Sequence, residues 1–157
     1  MMRLSEILRT DCIKVPLASN QKQAALFELV ELMGSAGAVS EIQQLKDAIW
    51  QREQTRTTGI GHGIGIPHGK TGCLSELHMA IGIPPTPIEF GAIDGKPVEL
   101  IILLASPADQ TGPHIQALAK ISRLLTDDTF RDAVKKAESA ESLYEMLIQH
   151  EAELAGA

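Results

Sequence analysis

Val98-Glu99-Leu100-Ile101-Ile102-Leu103-Leu104-Ala105 is a nearly continuous apolar run of strand length. A strand with one wet face alternates apolar with polar, whereas a strand covered on both faces is apolar at both parities. The run therefore predicts a central strand with further layers above and below it. It is far too short to span a bilayer. Upstream, Leu77 to Ile83 reads as a second strand, and Pro84-Pro85-Thr86-Pro87 as a stiff connection after it. Downstream, Thr111-Gly112-Pro113 opens a helix with Pro at a favoured first-turn position, and Ile115, Leu118, Ile121, Leu124 and Leu125 recur at helical spacing. Thr126-Asp127-Asp128 caps another helix to about Ala137. Ser139-Ala140-Glu141 begins a last one carrying Leu143, Met146, Leu147 and Ile148.

The N-terminal half follows the same alternation. Residues 4–9 suit a short helical turn, and Cys12-Ile13-Lys14-Val15 a short extended piece ending at Pro16. Ala18-Ser19-Asn20 offers caps for a helix from about Lys22 to Ala36, with Gly37 as its stop. Ser40-Glu41 begins a second helix, with Ile42, Leu45, Ile49 and Trp50 on one face, fading near Gln54. Helices interleaved with a few strands, one of them wholly apolar, indicate an α/β layered domain. The 157 residues are expected to form one domain, spanning 1–157.

Composition narrows the function. Apolar residues are 44% of the chain and aromatics 3%, so the core must be built from Ile, Leu, Val and Ala. The formal charge is −6 and no Lys/Arg run exceeds Lys135-Lys136. Nucleic acid and anionic membrane surfaces both call for clustered cations, so neither is expected as the partner. Cys12 and Cys73 show no zinc or CxxC spacing, and Met1 to Glu6 has no apolar leader core, so a soluble cytoplasmic protein with reduced thiols is expected.

Thr55 to Thr71 differs in kind, holding five of the 13 glycines between positions 59 and 69. Each interior Gly costs a helix about 1 kcal/mol relative to Ala, so a loop is expected, with a short strand around Ile64-Ile66. A phosphate-cradling Walker loop fails, because Ile64 stands where a glycine is required and Pro67 removes a backbone N–H. No GxGxxG register fits either.

What the stretch presents is His68, between Pro67 and Gly69. Proline stiffens the entry and glycine admits a close-lying surface. Imidazole is a nucleophile whose neutral form is available at physiological pH. The Thr57 and Thr58 hydroxyls and glycine N–H groups would hydrogen-bond a phosphoryl group, and Arg52 or Arg56 would offset its charge. His114, in a helix first turn, is the second candidate. His62 is expected to be exposed, His78 structural, and His150 a cation closing the last helix. On these residues alone, a surface-loop histidine remains an open reading of His68, and zinc held by His62, His68, His78 and His114 remains a weaker one, since no metal-site spacing is present.

Thr58-Gly59-Ile60-Gly61-His62-Gly63-Ile64-Gly65-Ile66-Pro67-His68-Gly69 resembles the phosphorylation-site signature of the fructose/mannitol-type enzyme IIA domains of the bacterial phosphotransferase system. Arg52-Glu53, Asp94-Gly95-Lys96-Pro97-Val98, Pro113-His114-Ile115 with Leu118 to Leu125, and Ser139 to Tyr144 are similar to further segments of that family, in order. The resemblance implies a mixed β-sheet flanked by helices on both faces. It implies His68 as phosphoryl acceptor through Nε2, supported by His114 and Arg52, without cofactor or metal. The implied donor is the small histidine phosphocarrier protein or its nitrogen-branch paralogue, and the recipient an enzyme IIB or a regulated protein. Ile66-Pro67-His68-Gly69-Lys70 in a free-standing domain is more similar to the nitrogen-regulatory branch than to the sugar transporters. Two further expectations follow: Ile64 and Ile66 form the dry centre of the docking contact, and Gly65, where the family commonly has Ala, loosens the approach to His68.

Overall fold

The computed structural model describes residues 2–156. Its elements run α1 (Leu4–Ile7), β1 (Leu8–Lys14), α2 (Lys22–Ser35), α3 (Ile42–Thr55), β2 (Gly59–Gly61), β3 (Ile64–Gly65), β4 (His68–Thr71), β5 (His78–Gly82), β6 (Leu100–Pro107), α4 (Thr111–Leu124), α5 (Asp128–Val134) and α6 (Ala140–Ala155). The six strands form one sheet in the order β1-β5-β6-β3-β2, with β4 also pairing β6. β1 runs parallel to β5, β5 antiparallel to β6, and β3 and β4 parallel to β6, so the sheet is mixed.

The apolar run is the spine of this arrangement, and every residue of β6 is buried. Leu100, Ile102 and Leu104 belong to a cluster with Ala117, Ile121 and Leu124 of α4, Val134 of α5, and Leu143 and Leu147 of α6. Ile101, Leu103 and Ala105 belong to another with Leu26, Leu29 and Met33 of α2 and Leu45 and Ile49 of α3. The period of two along a strand divides the run between two cores, with α2 and α3 on one face and α4 to α6 on the other. Each buried Leu or Ile contributes about 1.5–3 kcal/mol by leaving water.

Local capping chemistry agrees with several boundaries. Asp127 accepts from the Phe130 N–H to open α5, and Ser139 accepts from the Ser142 N–H to open α6. The residues before α2 act differently: Glu28, inside the helix, reaches back to accept from the Ala18 and Ser19 N–H groups. β6 begins two residues later than the apolar run suggests, because Val98 forms an isolated antiparallel bridge with Ile88 instead. The glycine-rich stretch is more ordered than a loop, forming three short strands. Pairing of β3 and β4 with β6, and of β2 with β3, outweighs the weak strand propensity of glycine there. No helix among the described residues is long and apolar enough to cross a membrane.

Two histidine expectations part here. His62 is exposed, at a left-handed φ of 58°, as a hairpin tip between β2 and β3 allows. His150 does not end the last helix. α6 continues to Ala155, and the His150 ring is buried and stacked on Phe130 with centroids 3.9 Å apart.

Candidate active site

β3 and β4 are one chain path along β6, interrupted at Ile66-Pro67. The interruption is pinned from both sides. Ile66 N–H donates to the Thr58 carbonyl at 3.0 Å, and Leu104 N–H donates to the Pro67 carbonyl at 2.9 Å. The chain therefore re-enters the sheet with His68 opposite Leu104 and Lys70 opposite Ser106. Parallel partners share a face, so His68, Lys70 and Ser106 lie on the side of α4. Between them, Gly69 is oppositely directed, and a Cβ there would stand 2.9 Å from Ile49 Cγ1 and 3.2 Å from the Ile49 backbone nitrogen. Only glycine lets α3 pack this closely on β4, which brings Arg52 to the site.

His68 is half-buried, and its Nδ1 is 2.8 Å from the Ile66 carbonyl oxygen. A carbonyl can only accept, so Nδ1 carries the proton and Nε2 keeps a lone pair. Burial holds the His68 pKa below the ordinary 6.5; Arg52 and Lys70 act the same way, while the Ile66 carbonyl and Glu53 oppose them. At neutral pH the ring is thus an uncharged nucleophile with its reactive nitrogen already defined.

His114 comes to the same place from the first turn of α4. The two rings meet edge to face, with centroids 5.3 Å apart and planes at 61°. His114 is buried, 4% exposed, and its Nδ1 is 2.5 Å from Ser106 Oγ. Burial, then the nearby His68 and Lys70, push its pKa down to about 4. Both imidazoles line a cavity of about 530 Å³ with Arg52, Lys70, Gln51 and Thr55. Arg52 is braced at the end of α3, donating from Nη1 to the Arg56 carbonyl at 3.0 Å. Arg56 itself is exposed and contributes that carbonyl. Two cations beside the two imidazoles suit an anionic group.

Thr57 and Thr58 are not brought to this cavity. Thr57 Oγ1 donates to the Phe90 carbonyl at 2.7 Å, and the buried Thr58 donates from its hydroxyl to Glu53 Oε1 and from its N–H to Glu53 Oε2 at 2.8 Å. Glu53 is also buried and pairs with Lys22 Nζ at 2.9 Å, which donates in turn to the Phe90 carbonyl. These hydroxyls anchor the start of β2 to α2 and α3. Ile64 and Ile66 are core residues, at 1% and 4% exposure, because their strand parity turns them toward α4 to α6. They are not exposed for docking, whereas Ile115, next to His114, is 59% exposed. Nor does Gly65 open space beside His68, since a Cβ there would press on the Phe90 ring at 2.9 Å. Among the described residues, no three His, Cys, Asp or Glu side chains are grouped as metal ligands.

Lys70, Gln51 and Ser106 are site residues to which the sequence reading gives no role in the chemistry. Lys70 was legible in part, being two residues beyond His68 on a strand and so on the same face. Gln51 and Thr55, spaced i,i+4, share a helical face beside Arg52. For Ser106 no local pattern exists, because its role depends on which strand neighbours β4.

The site's geometry coincides with a family assignment. Residues 6–150 match the model of the phosphoenolpyruvate-dependent sugar phosphotransferase system, EIIA 2. The chain is 36% identical over 151 residues to the nitrogen regulatory protein of Klebsiella oxytoca, covering 94% of this chain and 91% of that one. It is 31% identical over 150 residues to the fructose-specific EIIABC component of Bacillus subtilis, but covers only 24% of that longer protein. The fold matches the crystal structure of nitrogen regulatory protein IIA-Ntr from Neisseria meningitidis with a TM-score of 0.82 at 30% identity, over 90% of this chain and 97% of that one. The chain belongs to the EIIA 2 family of the phosphoenolpyruvate-dependent sugar phosphotransferase system.

Proposed function

We propose that this chain, as one cytoplasmic EIIA-type domain across residues 1–157, carries a phosphoryl group on Nε2 of His68 and reports its phosphorylation state in nitrogen-related regulation. The observation that carries the reading is the Ile66 carbonyl on His68 Nδ1, which leaves Nε2 as an uncharged nucleophile facing a cavity with Arg52 and Lys70. The donor is a phosphohistidine on the small histidine phosphocarrier protein or its nitrogen-branch paralogue. The His68 Nε2 lone pair forms the new N–P bond while the donor's N–P bond breaks and its electron pair returns to the donor ring. Such a transfer needs alignment and charge stabilisation more than covalent assistance. Arg52 and Lys70 offset the phosphoryl charge, and His114 hydrogen-bonds it. Thr58 acts through Glu53, holding the loop, rather than on phosphate. Ile115 beside His114 supplies apolar contact for the docking protein.

The regulatory branch is supported by the nitrogen regulatory relative, which matches nearly end to end. The likeness to the fructose-specific component favours a second reading, in which the phosphoryl group passes to an enzyme IIB for sugar uptake.

The test is incubation with phosphoenolpyruvate, the histidine phosphocarrier protein and the enzyme that phosphorylates that carrier from phosphoenolpyruvate. Acid-labile, base-stable label should enter the wild type and be absent from His68→Ala. Full labelling of that variant would overturn the assignment. Chase of the label onto a IIB domain would favour the sugar branch.

A further inference from the structure

His114 is the partner of His68, but the residue that determines what His114 can do is buried behind it. Ser106 is the penultimate residue of β6 and is 0% exposed. Strand parity puts its side chain on the α4 face, and its Oγ lies 2.5 Å from His114 Nδ1. No other side-chain hydrogen bond engages Ser106 Oγ among the described residues. His114 Nε2 makes no hydrogen bond to the protein, and it is not among the sealed polar atoms, so it opens to the cavity shared with His68.

Two arrangements of the proton between Ser106 and His114 are conceivable, and burial separates them. If Nδ1 held the proton, it would donate to Oγ, and the serine O–H would have no acceptor inside the core. A buried donor left without a partner is unfavourable, because its lost hydration is not replaced. If the serine O–H donates to the Nδ1 lone pair, every group is satisfied and the ring proton sits on Nε2. The His114 pKa of about 4 keeps the ring neutral at physiological pH, so only these two tautomers compete.

We propose that Ser106 is a positioning residue that holds the His114 ring with Nδ1 as acceptor and Nε2–H aimed at the cavity, making His114 a neutral hydrogen-bond donor to the phosphoryl group on His68. The inference deepens the proposed function and rests on His68 being the acceptor. The two histidines then use the same atoms oppositely. His68 donates from Nδ1 to the Ile66 carbonyl and reacts at Nε2, whereas His114 accepts at Nδ1 from Ser106 and donates at Nε2. A nucleophile and a donor result from one side-chain type, through different backing groups.

The test begins with the unphosphorylated wild-type protein, labelled with ¹⁵N at histidine. Ring-nitrogen NMR at pH 7 should show His114 protonated at Nε2, with an Nδ1 resonance displaced by an accepted hydrogen bond. A proton on Nδ1 would overturn the proposal without any variant. Ser106→Ala should return the Nδ1 resonance to its free position and slow transfer from phosphorylated His68 about five-fold, while Ser106→Thr should restore both. Unchanged His114 resonances and unchanged transfer in Ser106→Ala would also overturn it. If the wild type takes no label on His68, the proposed function fails, while the tautomer measurement still stands on its own result.

Discussion

Lowering the pH from 7 to 5 should remove about 2 kcal/mol of stability through His114 alone. Its pKa is pushed from 6.5 in a free chain to about 4 in the folded protein, first by burial and then by His68 and Lys70. Because the folded value is the lower one, the unfolded state binds more protons between them. Stability is therefore fully present above 6.5 and falls as the pH drops toward about 4. Each pKa unit corresponds to about 1.36 kcal/mol, and integrating the proton difference from pH 7 to pH 5 gives about 2 kcal/mol. His114 is 4% exposed but its Nε2 opens to the cavity, so solvent screening makes this figure an upper value. His68 and His78 are also depressed by burial and add to the slope in the same direction. The assay must therefore compare variants. Urea unfolding of the wild type and of His114→Gln at both pH values isolates the term, since an amide still meets the Ser106 hydroxyl but does not titrate. The variant should lose about 2 kcal/mol less than the wild type over this interval. An equal loss in both proteins would refute a buried, neutral His114 and with it the donor role argued for that ring.

Glu53→Gln should destabilise the protein by about 3 kcal/mol in urea unfolding, because Lys22 Nζ is left without its carboxylate, and should slow labelling of His68 as the anchor of Thr58 weakens. Gly69→Ala should cost about 1–3 kcal/mol in thermal or urea unfolding, since the new methyl meets the α3 backbone rather than a movable side-chain end, and labelling should fall as Arg52 is displaced. The initial rate of His68 labelling should fall to half its plateau only at a pH below 6.5, because burial disfavours the charged ring. A midpoint above 6.5 in a stopped-flow or quenched labelling series would contradict that electrostatic account.

Much of the architecture was legible in the chain because it depends on local patterns. The doubly apolar run around Ile101 and Ile102 announced a central strand, and the helical stripes and the caps at Asp127 and Ser139 announced helices close to where they occur. The family resemblance supplied the mixed sheet and the pair His68 and His114, which the fold brings within 5.3 Å. Other expectations failed for reasons that no local pattern contains. Thr57 and Thr58 have the right chemistry for phosphate, but Phe90 and Glu53 reach their hydroxyls first. Ile64 and Ile66 precede His68 and share its face of the sheet, yet they are covered by the α4 to α6 side of the core and are buried. His150 stands near the end of the chain, but its helix continues and Phe130 covers its ring.

The amino-acid order by itself determined much of which segments become helix or strand, which histidine sits on a stiff Pro-Gly mount, and that the chain is acidic with no long basic run. Those properties follow from periodicity, backbone preference and charge, each of which acts over a few residues. Only the tertiary structure decided which hydroxyl backs His114, which carbonyl backs His68, and which cations share the cavity. Such choices depend on strand register and on the crossing of α3 and α4 over the sheet, and these bring residues far apart in sequence within hydrogen-bond reach.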